Sequence, residues 1–190
     1  GVVSADVSGV GTARRALTAA KYGTDKAIFG YGYTGSASSL TNLVSNVGVV
    51  AADVTGVGTA RYGLAAASYG TDKVIFGYGS TGSSVSLTNL ASNTGVVATD
   101  VTGVGTARFY LAACGYGTDK AIFAYGVVDD DSDLSLSNLV SSSGVVATDV
   151  TGVGTVRRAA AASSYGGDKA IFGYGYAGGN VSVSNLVSSS

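Results

Sequence analysis

The sequence predicts an all-β fold built from four copies of one four-stranded module, and three observations predict it. First, the 190 residues divide without remainder into repeats at residues 1–47, 48–94, 95–143 and 144–190. Each repeat opens on Gly-Val-Val and runs through Asp-Val-Ser/Thr-Gly-Val-Gly-Thr-Ala/Val-Arg. It then reaches Tyr-Gly-Thr/Gly-Asp-Lys-Ala/Val-Ile-Phe-Gly/Ala-Tyr-Gly and closes on Ser/Thr-Asn-Leu-Ala/Val-Ser. Second, short runs rich in Val, Ile, Thr, Tyr and Phe lie between breaks drawn from the 30 glycines, the pattern of short strands between turns. Third, the strong helix formers Glu, Gln and Met are absent, which argues against long helices. A period of this length marks a supersecondary unit whose exposed faces are covered by its neighbours, so residues 1–190 form a single repeat domain.

The second repeat shows the elements in order. Residues 48–54 are a β-rich run ending at Thr-Gly, and residues 64–69 are a run of small residues ending at Tyr69. Residues 73–78, Lys-Val-Ile-Phe-Gly-Tyr, are the strongest strand of the unit, and residues 86–92 alternate polar with apolar positions. Gly70-Thr71-Asp72 separates the second run from the third as a tight hairpin turn does. Because side chains alternate along a strand, Ile75 and Phe76 face opposite ways, and both faces of this strand are apolar.

Four-stranded units at this spacing point to propeller blades. With the small-residue run as innermost strand A, the order is A, B, C and D. The chain then starts on a D strand (residues 1–7) and stops after a C strand (residues 182–188). The expectation is a four-bladed β-propeller of four-stranded antiparallel blades. Its N-terminal strand would complete the last blade and remove an open edge. The succession of Arg61, the small-residue strand 64–68 and the strand ending Gly77-Tyr78-Gly79 resembles the kelch family of propellers. The resemblance spans all four repeats. Tyr78 interrupts the family's double glycine, and its later Trp is missing. The resemblance implies the propeller architecture and carries no function with it.

Composition excludes several classes. A net charge of −1 gives no basic footprint for nucleic acid and no polybasic membrane signal. No apolar run approaches the roughly 20 residues of a membrane helix. The absence of Met implies a processed chain or a segment of a longer one. With no His there is no Ser-His-Asp triad, and with a single Cys there is no ordinary zinc site. With no Glu, a glycosidase would need two Asp in one cleft. The expectation is a protein that is not an enzyme and takes no cofactor. Cys114 occupies a slot held by Ala67 and Ser163 in other repeats, as a buried small residue does.

Candidate site residues come from repetition and from its failures. Arg14, Arg61, Arg108 and Arg157 recur, downstream of Asp6, Asp53, Asp100 and Asp149. They form either a fourfold ligand-binding ring or struts that tie blade to blade. The recurring Asp-Lys pairs, such as Asp72-Lys73, suit solvated turns. The Gly-Val-Gly loop has no helix behind it and is not a phosphate cradle. The copies diverge freely in the B–C loops, which carry Tyr33, Tyr176 and Asn180. Loops on a rigid scaffold are the usual carriers of recognition, and Tyr with Asn and Arg suits sugar rings and hydroxyls. Asp129, Asp131 and Asp133 stand at a spacing open to Ca²⁺, but the Gly and Glu of a calcium loop are missing, and a solvated acidic loop is favoured. Two readings follow. One is a binding or adhesion module for surface glycans, gaining avidity from repetition. The other is a structural subunit of an extracellular or virion-associated, phage-type fibre or decoration. Either a monomeric ring or self-association into a larger assembly is compatible.

Overall fold

A computed structural model describes residues 1–189. It contains twelve strands and no helix among those residues. The first sheet is β1 (Thr18–Tyr22), β2 (Lys26–Tyr33) and β3 (Ala37–Val44), and the second is β4 (Ala65–Tyr69), β5 (Lys73–Gly77) and β6 (Thr88–Ala91). The third is β7 (Ala112–Tyr116), β8 (Lys120–Ala124) and β9 (Ser137–Val140), and the fourth is β10 (Ala161–Tyr165), β11 (Lys169–Gly173) and β12 (Ser184–Val187). Each is a three-stranded antiparallel sheet in chain order with the second strand central, and no sheet closes on itself. Among the described residues no helix is long and apolar enough to cross a membrane.

The first two strands of each unit sit where the sequence places them. Ala67 pairs with Ile75 and Tyr69 with Lys73 around the Gly70–Asp72 turn, where Gly70 and Thr71 both take positive φ. Such φ values match the turn's twist to that of the flanking strands. Ile75 and Phe76 face opposite ways as expected. Phe76 enters the core between the first and second sheets, with Tyr31, and Ile75 enters the core between the second and third, with Tyr78 and Phe123. Ala65, Ala66 and Ala67 are all buried, keeping β4 thin between its neighbours. A Cβ on Gly30 would lie 2.7 Å from the Phe76 ring, so the glycine leaves room for an edge of that ring against the preceding sheet.

The Tyr-Gly pair that ends each central strand breaks its regularity. Tyr31, Tyr78, Tyr125 and Tyr174 all have φ between 60° and 65°, the left-handed region that non-glycine residues seldom enter. In the first sheet the register shifts between Gly30 and Gly32, a bulge that leaves Tyr31 unpaired in the ladder. The bulge swings the ring onto the next sheet: Tyr31 meets Phe76 with centroids 5.3 Å apart, Tyr78 meets Phe123 at 5.2 Å, and Tyr125 meets Phe172 at 5.6 Å.

The expected fourth strand is reduced to an edge segment. Val50 and Val54 touch β3 only through isolated bridges to Val44 and Thr41. Between them the Asn42 side chain takes the Ala51 carbonyl at 3.1 Å, so a side chain replaces a rung of the ladder.

The expected ring does not close within the chain. Successive sheets face one another and approach most closely along their first strands, β1 to β4, β4 to β7 and β7 to β10, while β10 makes no comparable approach to β1. Residues 1–7 are wholly exposed, with Val3 at 98% and Val7 at 88%, so the N-terminal strand does not complete the last sheet. The reason is that the first and fourth sheets are the two ends of an open array. Each therefore leaves an outer face uncovered. Phe29 is 36% exposed whereas Phe76, Phe123 and Phe172 are buried, and Tyr174 is 66% exposed whereas Tyr31 and Tyr78 are buried.

Candidate functional site

The repeated arginines are held by one constellation in each of the first three sheets. In the second sheet, Arg61 is fully buried. Its Nε donates to the Tyr78 carbonyl at 2.9 Å, Nη1 to the Thr59 carbonyl at 3.1 Å and Nη2 to Asn89 Oδ1 at 2.5 Å. Asn89 Nδ2 donates onward to the Ala98 carbonyl at 3.0 Å and to Asp100 Oδ1 at 2.9 Å. Asp100 also accepts from the Thr59 amide and hydroxyl at 3.0 and 2.7 Å, and it stands 3.6 Å from Arg61 Nη1. Arg14, Asn42, Thr12 and Asp53 repeat this in the first sheet, and Arg108, Asn138, Thr106 and Asp149 in the third. Gly58 makes the fit possible. It has φ +78, and a Cβ there would lie 2.4 Å from Asp100 Oδ1 and 2.5 Å from Asn89 Nδ2.

The constellation also reaches the preceding sheet. The Arg61 guanidinium lies 4.4 Å from the centre of the Tyr31 ring, Arg108 lies 4.2 Å from that of Tyr78 and Arg157 3.6 Å from that of Tyr125, all within cation–π range. Gly32 donates its amide to the Arg61 carbonyl, and Gly79 and Gly126 do the same to Arg108 and Arg157. Arg61, Arg108 and Arg157 thus each brace their own sheet and tie it to the one before.

These surroundings shift the titrating groups. Hydrogen bonds from Thr12 and Asn42 hold Asp53 below the ordinary carboxyl value. Burial pushes Asp100 and Asp149 up, but bonds from Thr59 and Asn89, and from Thr106 and Asn138, outweigh it and leave both lowered. Burial raises the Tyr31 and Tyr78 phenols to about 12. Burial also raises the Cys114 thiol to about 12, consistent with a packing role for this buried cysteine.

Of the two readings of Arg14, Arg61, Arg108 and Arg157, a ligand-binding ring or struts, the geometry favours struts. Their guanidinium groups are engaged with main-chain carbonyls and Asn side chains, and Arg61, Arg108 and Arg157 are buried outright. A ligand could not reach those three without opening the sheets. The asparagines at the centre of each strut were not singled out from sequence. The signal that marks them is the Asn held at one position of every Ser/Thr-Asn-Leu run, in an otherwise alternating strand.

The divergent loops do share an edge. The hairpin after β5 reaches the next one through Ser84, whose amide and hydroxyl bond Asp129 Oδ1 at 2.8 and 2.7 Å. The 128–133 loop reaches the fourth sheet through Asp131 and Asp133, which face the Arg158 guanidinium. Tyr33 is half-buried against Tyr62 at 5.2 Å, with the Arg15 guanidinium 5.1 Å from its ring. Tyr176 bridges Asn180 in its own hairpin and carries Arg158 at 5.2 Å. Tyr33 and Tyr176 thus sit on the same edge but in the end sheets, each with an arginine against its ring. Asp129, Asp131 and Asp133, read from spacing as open to calcium, turn to two different neighbours. No group of three metal-ligating side chains gathers among the described residues.

No family model matches the chain, and comparison with curated proteins finds no match.

Proposed function

We propose that this chain is a non-catalytic structural repeat module, a building block of a fibre or surface decoration, and that its four sheets are successive blades of a propeller-like array. The observation that carries this reading is where the repeated charge goes. The arginines and the aspartates of the Asp-Val-Ser/Thr-Gly run, the side chains best suited to a repeated binding site, are used in the second and third sheets to hold blade edges and blade pairs together. Convergence along the first strands supports the propeller-like arrangement. A cleft lined by Lys21, Ser68, Tyr116 and Ser164, from all four repeats, supports it too.

A second reading has one observation in its favour. The loop edge presents Tyr33 with Arg15 and Tyr176 with Arg158, a pairing suited to a sugar face and its hydroxyls. A glycan array probed with and without calcium separates the two. The structural reading expects no specific binding. Specific binding that is lost in the Tyr33→Ala, Tyr176→Ala double variant would replace it with multivalent glycan recognition.

A further inference from the structure

The contact between one sheet and the next is made three times inside this chain, and its two halves are left over at the ends. Tyr31, Tyr78 and Tyr125 each project from the back of one sheet onto Phe76, Phe123 and Phe172 of the next. The fourth tyrosine of the series, Tyr174, is 66% exposed, and the first phenylalanine, Phe29, is 36% exposed. Leu186 on the fourth sheet is 69% exposed as well. A front face is thus left open at one end of the array and a matching back face at the other.

A second set of observations comes from the edge. Asp53, Asp100 and Asp149 reach the first three sheets from the edge segments that follow β3, β6 and β9, and each bonds a threonine and an asparagine there. The fourth sheet has the threonine, Thr155, and the asparagine, Asn185, but no carboxylate arrives. The equivalent aspartate is Asp6, in the exposed residues 1–7, where it makes no hydrogen bond or ion pair. The fourth strut is unfinished in a second respect. Arg157 is fully buried, yet its Nε has no hydrogen-bond partner, whereas the Nε of Arg14, Arg61 and Arg108 each donates to a tyrosine carbonyl.

We propose that copies of this chain assemble head to tail, each seating the front of its first sheet on the back of its neighbour's fourth sheet. Tyr174 then packs on the next copy's Phe29, beside Arg14, as Tyr31 packs on Phe76 beside Arg61. The next copy's residues 1–7 lie along β12. Val7 falls opposite Ser184 and Val3 opposite Val187, in the register that Val54 and Val50 keep with Thr41 and Val44. Its Asp6 carboxylate accepts from Thr155 and Asn185. The occupant is a second copy because the covering surface this site calls for, residue by residue, is the one this chain carries unused. The two patches differ, so the contact is heterologous, and repetition yields either a closed ring or a filament. The inference deepens the structural reading and rests on it.

Disulfide trapping tests the register. In a Cys114→Ala background, Val7→Cys and Ser184→Cys would face each other across a hydrogen-bonded antiparallel pair, where Cα atoms stand about 5.5 Å apart, within reach of a disulfide. The expected result is a non-reducing ladder at multiples of the 18.6 kDa chain. Monomer alone, with thiols free or joined within one chain, overturns the proposal. A ladder that forms as readily from the out-of-register Ser8→Cys overturns it too. For the unaltered chain, sedimentation should give at least twice 18.6 kDa. Tyr174→Asp or Asp6→Asn, both at exposed positions, should return it to one chain mass with the circular dichroism unchanged. A wild type that stays at one chain mass overturns the assembly but leaves the structural reading standing. Glycan binding by an assembled protein would overturn the reading and leave the assembly.

Discussion

Replacing Asn89 by alanine removes the centre of one strut while leaving its charges in place. Asn89 is fully buried and makes one bond to a guanidinium, one to a carboxylate and one to a main-chain carbonyl. Bonds to charged groups contribute about 1.5–3 kcal/mol each and a neutral one about 0.5–1.5 kcal/mol. Arg61 keeps the Tyr78 and Thr59 carbonyls, and Asp100 keeps both Thr59 donors. The lower half of the summed range therefore applies, about 3.5–5.5 kcal/mol. Asn185→Ala, made in the Tyr174→Asp background that keeps copies of the chain apart, is the internal comparison. Within one chain its carboxamide lies at the same position in the fourth sheet but holds only Arg157 Nη2, at 2.9 Å, on a half-buried site. Its loss should cost about 1–2 kcal/mol. Urea unfolding followed by circular dichroism gives both values from the shift in midpoint at constant slope. An Asn89→Ala cost below about 1 kcal/mol, or one no larger than that of Asn185→Ala, would refute the assignment of the struts as the main polar link between sheet edges.

Phe76→Ala should cost about 3–5 kcal/mol in the same assay, since the ring is wholly buried between two sheets; a loss below about 1 kcal/mol would put it outside the core. Stability should also depend on pH at both extremes. The folded-state values of Asp53, Asp100 and Asp149 lie below 3.8, so their contribution is present above that value and lost as pH falls through the lowered values. The folded-state values of Tyr31 and Tyr78 are raised from 10.0 to about 12, so their contribution is present below pH 10 and lost as pH rises toward 12. With no histidine in the chain, melting temperature should be flat from about pH 5 to pH 9. A midpoint that moves by several degrees within that plateau would show a titrating group missing from this account.

The sequence by itself determined the repeat, the placement of the first two strands in each unit, the Gly-Thr-Asp turns and the opposite facing of Ile75 and Phe76. These follow from local chemistry: alternation along an extended chain, small residues where sheets crowd, and turn residues that accept positive φ. Ring closure, the fourth strand and the role of the arginines were decided only in three dimensions. Arg61 is as long and charged in a strut as in a ligand site. What buries it is the coincidence of Asn89, Thr59, Asp100 and the preceding sheet's Tyr31, residues far apart in sequence that meet only when the sheets stack. Closure likewise depends on the angle between successive sheets, which is set by packing along the first strands. Four equal repeats leave that angle free, and in this chain it leaves Phe29 and Tyr174 uncovered at the two ends.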